Sequence, residues 1–281
     1  MDFTLAISII NQLKTAGVES ITWTGGGEPT LHPRFDDIIS YAHAIGMKQG
    51  LYTHGGHIDE NRANLLKHVM TWVYISLDEC TPEDYKQTKG VNFFDKIMTG
   101  IGYLLDARGM ATIGLGFLLH RDNWQKMNDM VTLGERLGVD YIQFRPTILY
   151  HQDNPDVPAE YTNWLSEVID CLQAYDGLDH ILADVERFKM YRDWNGRSYT
   201  TCHWAGVQTV ITPNGKMWTC VNLREHAEDE IGDLSVEPFA DIWQRRKTKC
   251  VNGQCRILCR GHVANLTLDS VFTEPLHSSF V

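Results

Sequence analysis

Through the first half of the chain, short apolar runs rich in β-branched residues alternate with stretches whose apolar positions recur every three to four residues. A period of two marks a strand and a period near 3.6 a helix facing a core, so the alternation predicts parallel strands joined by crossover helices. Helical spacing covers residues 5–16 and stops at Gly17. A strand over 20–24, a helix over 35–45 ended by Gly46, and a strand over 48–53 running into His54-Gly55-Gly56 come next. The pattern continues with helix 60–68, strand 72–77, helix 94–107 with Gly109 behind it, strand 111–119, helix 124–137 closed by Gly138, and strand 141–144. Five strands and five helices are predicted, and a helix comes first. A crossover helix normally follows a strand, so the chain is expected to have lost the strand before it.

Residues 151–158, with three Asp or Asn and two prolines, read as a linker. Helical periodicity resumes over 161–175 and 184–192. Beyond Gly196 the texture changes. Residues 207–211 and 216–219 flank Pro213-Asn214-Gly215, and Asn-Gly between two apolar runs is a strong hairpin signal because it supplies positive φ. A short helix over 239–247 leads to Cys250. The expected division is a β/α core over 1–150, a linker with helices over 151–200, a cysteine-rich domain over 201–265 and a tail over 266–281.

Composition narrows the function. The 281 residues carry 25 Lys and Arg against 36 Asp and Glu, a formal charge of −11, with 43% apolar residues. Such a chain buries a sizeable core, which excludes disorder for most of it. Its acidic balance disfavours nucleic acid, whose affinity comes from Lys and Arg neutralising phosphates. No apolar run approaches the 18 or more residues of a membrane span, and the N-terminal residues lack the basic and apolar regions of a signal peptide. A cytoplasmic protein without membrane association is expected.

Two constellations carry chemistry. Thr24-Gly25-Gly26-Gly27-Glu28-Pro29 stands at the C-terminal end of a predicted parallel strand, where β/α folds bind ligands. Three glycines let a ligand approach the backbone, and Glu28 adds a carboxylate able to receive an ammonium group. The second is Cys202-x17-Cys220 followed by Cys250-x4-Cys255-x3-Cys259. Five thiols crowd one region, with the hairpin expected to bring Cys202 and Cys220 together, a donor set suited to an iron-sulfur cluster or a four-thiolate zinc site. His203 and His262 flank these cysteines and read as neighbours of a site rather than ligands. Cys80 and Cys171 stand alone and read as small buried or half-buried residues.

Together these motifs resemble the radical S-adenosylmethionine (radical SAM) superfamily, in its SPASM/twitch subgroup, across nearly the whole chain. Gly26, Gly27 and Glu28, followed by Leu31-His32-Pro33, match the second-strand motif that holds the amino group of the S-adenosylmethionine methionine moiety. Ser76-Leu77-Asp78 resembles the fourth-strand motif facing the cofactor, and Lys89-Gly90 stands where Arg-Gly is usual. The stretch from Gly114 through Gly116 to Asn123 resembles the fifth strand and its exit near the adenine and ribose, and 141–146 resembles the sixth strand. Cys202-His203-Trp204-Ala205-Gly206, the Asn214-Gly215 turn and Cys220 resemble the opening of the auxiliary-cluster domain, with 231–243 matching the segment before the distal cysteines. The resemblance implies a partial parallel (β/α)6 barrel missing its first strand, joined to a small C-terminal SPASM/twitch-like domain. It also implies one auxiliary 4Fe-4S cluster on Cys202, Cys220, Cys255 and Cys259, with Cys250 the alternative to one of the distal pair.

The departures matter too. The family's C-x3-C-x2-C, which binds the catalytic 4Fe-4S cluster, is absent, since no cysteine precedes Cys80. The expectation is an enzyme chain that starts late and is inactive alone. His54 stands where Asn is frequent and reads as a partly exposed strand-end residue. With the missing ligands present, the family implies radical cleavage of S-adenosylmethionine, a peptide or protein substrate, and a reductant such as flavodoxin or ferredoxin. No catalytic residue is identified. The alternatives are a non-catalytic peptide-binding protein that keeps the barrel and one cluster, and a zinc-stabilised barrel protein.

Overall fold

A computed structural model describes residues 1–147, 159–193, 196–224, 227–246, 259 and 261–272, with no side chains described for 159–163. The chain divides into two compact units, Val18–Asp193 and a second formed by Met1–Gly17 with Trp194–Val281. The elements in order are α1 (Phe3–Thr15), β1 (Ser20–Trp23), α2 (Phe35–Ala44), β2 (Lys48–Thr53), α3 (Glu60–Val69), β3 (Trp72–Ser76) and α4 (Pro82–Lys89). There follow α5 (Phe94–Asp106), β4 (Thr112–Leu119), α6 (Met127–Leu137), β5 (Tyr141–Pro146), α7 (Ala159–Gln173), β6 (Ile181–Ala183) and α8 (Val185–Arg192). The last are β7 (Val210–Ile211), β8 (Lys216–Trp218), β9 (Glu230–Asp233), α9 (Phe239–Arg245) and α10 (His262–Phe272).

The Val18–Asp193 unit is a six-stranded sheet in the order β1-β2-β3-β4-β5-β6, every pair parallel. The sheet is open, with β1 and β6 at its two ends. This is the partial barrel expected, with one strand more than the sequence displays. β6 is three residues long, too short to show a period, and reveals itself only by pairing with β5. α4, with Thr81 as N-cap and Gly90 in the left-handed C-cap position, is a second element not predicted.

Alternate residues on each strand serve the two faces. Leu51, Val73, Ile75, Ile113, Leu115, Phe117, Ile142 and Phe144 are fully buried on one face, where Ile39, Leu66, Ile97, Ile101 and Met130 of the crossover helices are buried as well. Each such large apolar side chain contributes about 1.5–3 kcal/mol. The other face is aromatic and polar. Tyr52, Tyr74, Gly114 and Tyr141 form one row across β2 to β5, with Gly50, Trp72 and Thr112 in the row below and Ser76, Gly116 and Gln143 in the row above. Its strand glycines have a packing reason: a Cβ at Gly50 would lie 2.1 Å from the Trp72 ring, at Gly114 2.1 Å from Tyr141, and at Gly116 1.7 Å from Tyr74.

In the second unit, β7, β8 and β9 form an antiparallel sheet. The hairpin expected at Asn214-Gly215 is present: the Gly215 N–H donates to the Thr212 carbonyl (2.9 Å), the Thr212 N–H to that of Lys216 (3.0 Å), and Gly215 has φ +87°. The opening helix α1 belongs to this unit by its contacts. Gln12 accepts a hydrogen bond from the Phe239 N–H at the start of α9 (2.8 Å), and a Cβ at Gly215 would sit 3.3 Å from Leu5. α10 crosses residue 266, where a tail was expected. The predicted linker 151–158, and Cys250 and Cys255, lie outside the described residues. Among the described residues no helix is long and apolar enough to cross a membrane.

Candidate functional site

Because the six strands are parallel, their C-terminal ends share one edge of the sheet, and the predicted ligand-facing residues gather there. Thr24 to Glu28 leave β1, Thr53 and His54 end β2, Ser76 to Asp78 end β3, and the exit of β4 runs to Asn123.

Glu28 is the anchor of this edge. Its side chain is only 8% exposed. Oε1 accepts from the Thr30 N–H (3.0 Å), the Thr30 hydroxyl (2.6 Å) and the Thr53 hydroxyl (2.7 Å), and Oε2 accepts from the His54 N–H (2.9 Å). Burial works to raise the carboxyl pKa. The hydrogen bonds from Thr30, the His54 backbone and Thr53 outweigh it, so the group is held below the ordinary carboxylate range. Glu28 therefore ties the glycine loop to the end of β2, a role its place in the motif did not disclose. His54, with its ring Nε2 3.5 Å from Oε2, stands against Phe93 and His57.

The preceding glycines behave differently. Gly25, Gly26 and Gly27 are exposed, and none has the positive φ that demands glycine. A Cβ added at Gly26 or Gly27 would meet nothing within 4 Å. Neither backbone conformation nor internal packing requires glycine at these two positions. What their missing side chains leave is open access to the backbone, a cradle that a Cβ would fill.

Asp78 and Lys89 are brought together. Asp78 Oδ2 lies 2.7 Å from Lys89 Nζ, while Oδ1 accepts from the Leu118 N–H (3.2 Å). Ser76 ends β3 with an exposed side chain. Asn123 is 1% exposed and faces inward: Nδ2 donates to the Leu118 carbonyl (2.9 Å) and Oδ1 accepts from the His120 N–H (2.8 Å), fixing the exit of β4. Gly116 is glycine for the sake of Tyr74, as described above. The sequence reading missed Glu79, 3% exposed, which binds Lys126 (2.9 Å) and the Thr88 hydroxyl (2.6 Å) beneath the end of β3. It also missed the aromatic face, for which Gly50, Gly114 and Gly116 inside strands were the available signal.

Three of the clustered cysteines, Cys202, Cys220 and Cys259, are described; all are partly exposed, and none is in a disulfide among the described residues. Two accept nitrogen donors: Asn265 Nδ2 lies 3.5 Å from Cys202 Sγ, and the Gly261 N–H 3.3 Å from Cys259 Sγ. Asn265 also accepts from the Trp204 N–H (2.8 Å), so one buried side chain, 1% exposed, links the Cys202 segment to α10. His203 pairs with Asp269 (3.2 Å) and His262 with the Tyr199 hydroxyl (3.0 Å), so both rings are engaged beside the cysteines. Among the described residues no group of three or more His, Cys, Asp or Glu side chains is arranged to hold a metal ion. The thiols with their N–H donors suit thiolate ligation, because such donors stabilise sulfur that carries charge. Elsewhere, burial and the neighbouring Asp129 and Glu79 push the Cys80 thiol up to about 12, whereas Cys171, expected to be buried or half-buried, is exposed.

Comparison with known proteins places both regions. The model of the radical SAM superfamily matches residues 4–134, and that of an iron-sulfur cluster-binding domain, SPASM, matches 202–271. A probable GTP 3',8-cyclase of Saccharolobus islandicus (strain M.14.25 / Kamchatka #1) is 29% identical over 130 residues, covering 46% of this chain and 42% of its own. One from Metallosphaera sedula is 29% identical over 154 residues, covering 51% and 48%. The chain thus spans less than half the length of these curated relatives. Among solved structures, Streptococcus suis SuiB superposes with a TM-score of 0.66 at 13% identity, over 85% of this chain and 58% of SuiB. Native anSMEcpe with bound AdoMet gives 0.64 at 16% identity, over 87% and 72%. With an open parallel sheet, a glycine loop at its C-terminal edge and a separate thiol-bearing unit, the chain carries a radical SAM region over residues 4–134 and a SPASM-type iron-sulfur domain over 202–271.

Proposed function

We propose that this chain positions cofactor and substrate in an enzyme that modifies a peptide or protein through radicals drawn from S-adenosylmethionine. The observation that carries the reading is the open backbone of Gly26 and Gly27 beside an anchored Glu28. The radical SAM and SPASM regions imply S-adenosylmethionine and iron-sulfur clusters, and this loop fits the cofactor's amino group. The backbone carbonyls of Gly26 and Gly27 would receive that ammonium group, and Glu28 would keep the loop in place through Thr30, Thr53 and His54. Ser76 and the Asp78–Lys89 pair supply polar groups along the same edge, Gly116 makes room for the Tyr74 ring, and Asn123 fixes the exit of β4. Bound beside a reduced cluster, the cofactor would supply one-electron chemistry directed at a substrate C–H bond. The protein's part is orientation and exclusion of water.

In the second unit, Cys202, Cys220, Cys255 and Cys259 would hold one auxiliary 4Fe-4S cluster, with Cys250 the alternative in the distal pair. The N–H donors at Cys202 and Cys259 support this. A peptide or protein is the substrate class in keeping with SuiB, whose structure was solved bound to the precursor peptide SuiA. Electrons would come from a flavodoxin or ferredoxin. Residues 1–281 contain no C-x3-C-x2-C, so these residues alone lack the ligands of the cluster that cleaves S-adenosylmethionine.

The test has two arms. Anaerobically reconstituted protein is expected to bind about four irons per chain, and Cys202→Ser with Cys220→Ser to lose them, because alcohol oxygens replace thiolates poorly at a soft metal. Stoichiometric zinc in colourless protein overturns the cluster assignment. With dithionite and S-adenosylmethionine, the 281-residue chain is expected to form no 5′-deoxyadenosine, and a segment bearing C-x3-C-x2-C joined ahead of Met1 to restore it. Failure of that restoration overturns the enzymatic reading.

A further inference from the structure

The aromatic face of the sheet carries a cation that no residue described pairs with a carboxylate. Arg145, at the end of β5, lies over the rings of Tyr74 (4.8 Å) and Tyr52 (5.6 Å). Stacking of this kind covers a face of the guanidinium and leaves its edge, where the N–H donors point, for a partner in the plane. Arg145 Nε is buried without a hydrogen-bond partner among the described residues. The hydroxyl of Tyr74, a residue only 2% exposed, has the Arg145 guanidinium as its polar neighbour. Buried polar groups are nearly always hydrogen-bonded in native proteins, so a buried guanidinium N–H without an acceptor, beside a phenol, calls for one. The nearby carboxylate Asp78 is spent on Lys89 and the Leu118 N–H.

The surroundings are shaped for more than a water. An open groove of about 350 Å³ on the same face is lined by Tyr52, Trp72, Tyr74, Tyr141 and Gln143 among others. Tyr74 and Tyr52 belong both to this groove and to the Arg145 stack. Strand glycines 50, 114 and 116 let the Trp72, Tyr141 and Tyr74 rings approach the sheet. A flat aromatic floor next to one guanidinium suits an extended chain that brings a single acidic group: the rings take its apolar stem, and Arg with a phenol O–H takes the carboxylate in a bidentate, charge-assisted pair.

We propose that Arg145 and Tyr74 form a carboxylate-binding site on the inner face of the sheet, and that it recognises an acidic side chain of a peptide substrate. This deepens the proposed function and rests on it for the peptide; the site's chemistry stands on the residues alone.

The probes are two blocked peptides, acetyl-Ala-Ala-Glu-Ala-Ala-amide and its Gln counterpart, titrated into the 281-residue protein by calorimetry or ligand-observed NMR without S-adenosylmethionine. The Glu peptide is expected to bind about tenfold more tightly, the equivalent of about 1.4 kcal/mol. Arg145→Gln is expected to abolish the preference, Arg145→Lys to keep part of it because the charge remains but the fork does not, and Tyr74→Phe to weaken the Glu peptide while leaving the Gln peptide unchanged. Far-UV circular dichroism and the midpoint of thermal unfolding check that each variant is folded. Equal binding of the two peptides, or a preference that survives Arg145→Gln in folded protein, overturns the site. A preference lost when saturating S-adenosylmethionine is added assigns the guanidinium to the cofactor's own carboxylate and overturns the substrate assignment. If neither peptide binds, the site is refuted while the radical SAM reading, which iron and 5′-deoxyadenosine test separately, is untouched.

Discussion

The motifs make both Gly26 and Gly116 cofactor-facing glycines, and the two are glycine for opposite reasons. A Cβ at Gly116 would fall inside the Tyr74 ring, so Gly116→Ala is expected to cost about 1–3 kcal/mol in overpacking. A Cβ at Gly26 touches nothing, so Gly26→Ala should change stability by less than about 0.5 kcal/mol. Urea titration of the two variants measures the contrast. With the three-cysteine segment joined to the chain, Gly26→Ala should nevertheless stop 5′-deoxyadenosine formation. Glu28 gives a prediction with a pH signature. Glu28→Gln turns an acceptor into an amide, placing an N–H₂ among donors in a site already filled by Thr30, Thr53 and His54, at a cost of about 1–3 kcal/mol at neutral pH. The carboxyl pKa is lowered on folding, so the wild type's advantage is fully present above the ordinary value of 4.5 and fades as pH falls through the folded value. Thermal unfolding of both proteins between neutral pH and pH values below 4.5 reads this out; a gap that stays constant sinks the account.

At the scale of elements, the strands and crossover helices were legible wherever they were long enough to show a period. β6, with three residues, was not, and α4 was not because its polar sequence offers only Tyr85 to the core. The opening helix is legible in the sequence, but the residues it packs against are not. α1 groups by contacts with Trp194–Val281, through Gln12 to the start of α9 and Leu5 near the Gly215 turn. Gln12→Ala removes the acceptor of the Phe239 N–H, which lies in the first turn of α9 where backbone donors have no partner within the helix. A loss of about 1 kcal/mol is expected, seen as faster amide exchange in α9 with the Val18–Asp193 sheet unaffected. Equal exchange in α9 of the two proteins would refute that role for Gln12.

For the molecule as a whole, the order of residues alone specifies the parallel β/α architecture, the hairpin at Asn214-Gly215, and the two chemical constellations with their order. These are local properties: periodicity follows from which face a residue presents, positive φ from glycine, and metal affinity from thiol chemistry. It also carries the family resemblance, since the GGGEP run and the order and spacing of the cysteines are read directly along the chain. Which groups meet is settled by folding. Glu28 faces inward to Thr53 and His54, Asn123 closes the exit of β4, and Asp78 is claimed by Lys89, because parallel strand ends converge on one edge regardless of their distance in the chain. The aromatic face and the stack at Arg145 join residues from β2, β3 and β5, and their register is set by backbone pairing and the packing of the opposite face. No window of sequence holds that information, since it arises when distant strands pair and the glycines between them make room for rings.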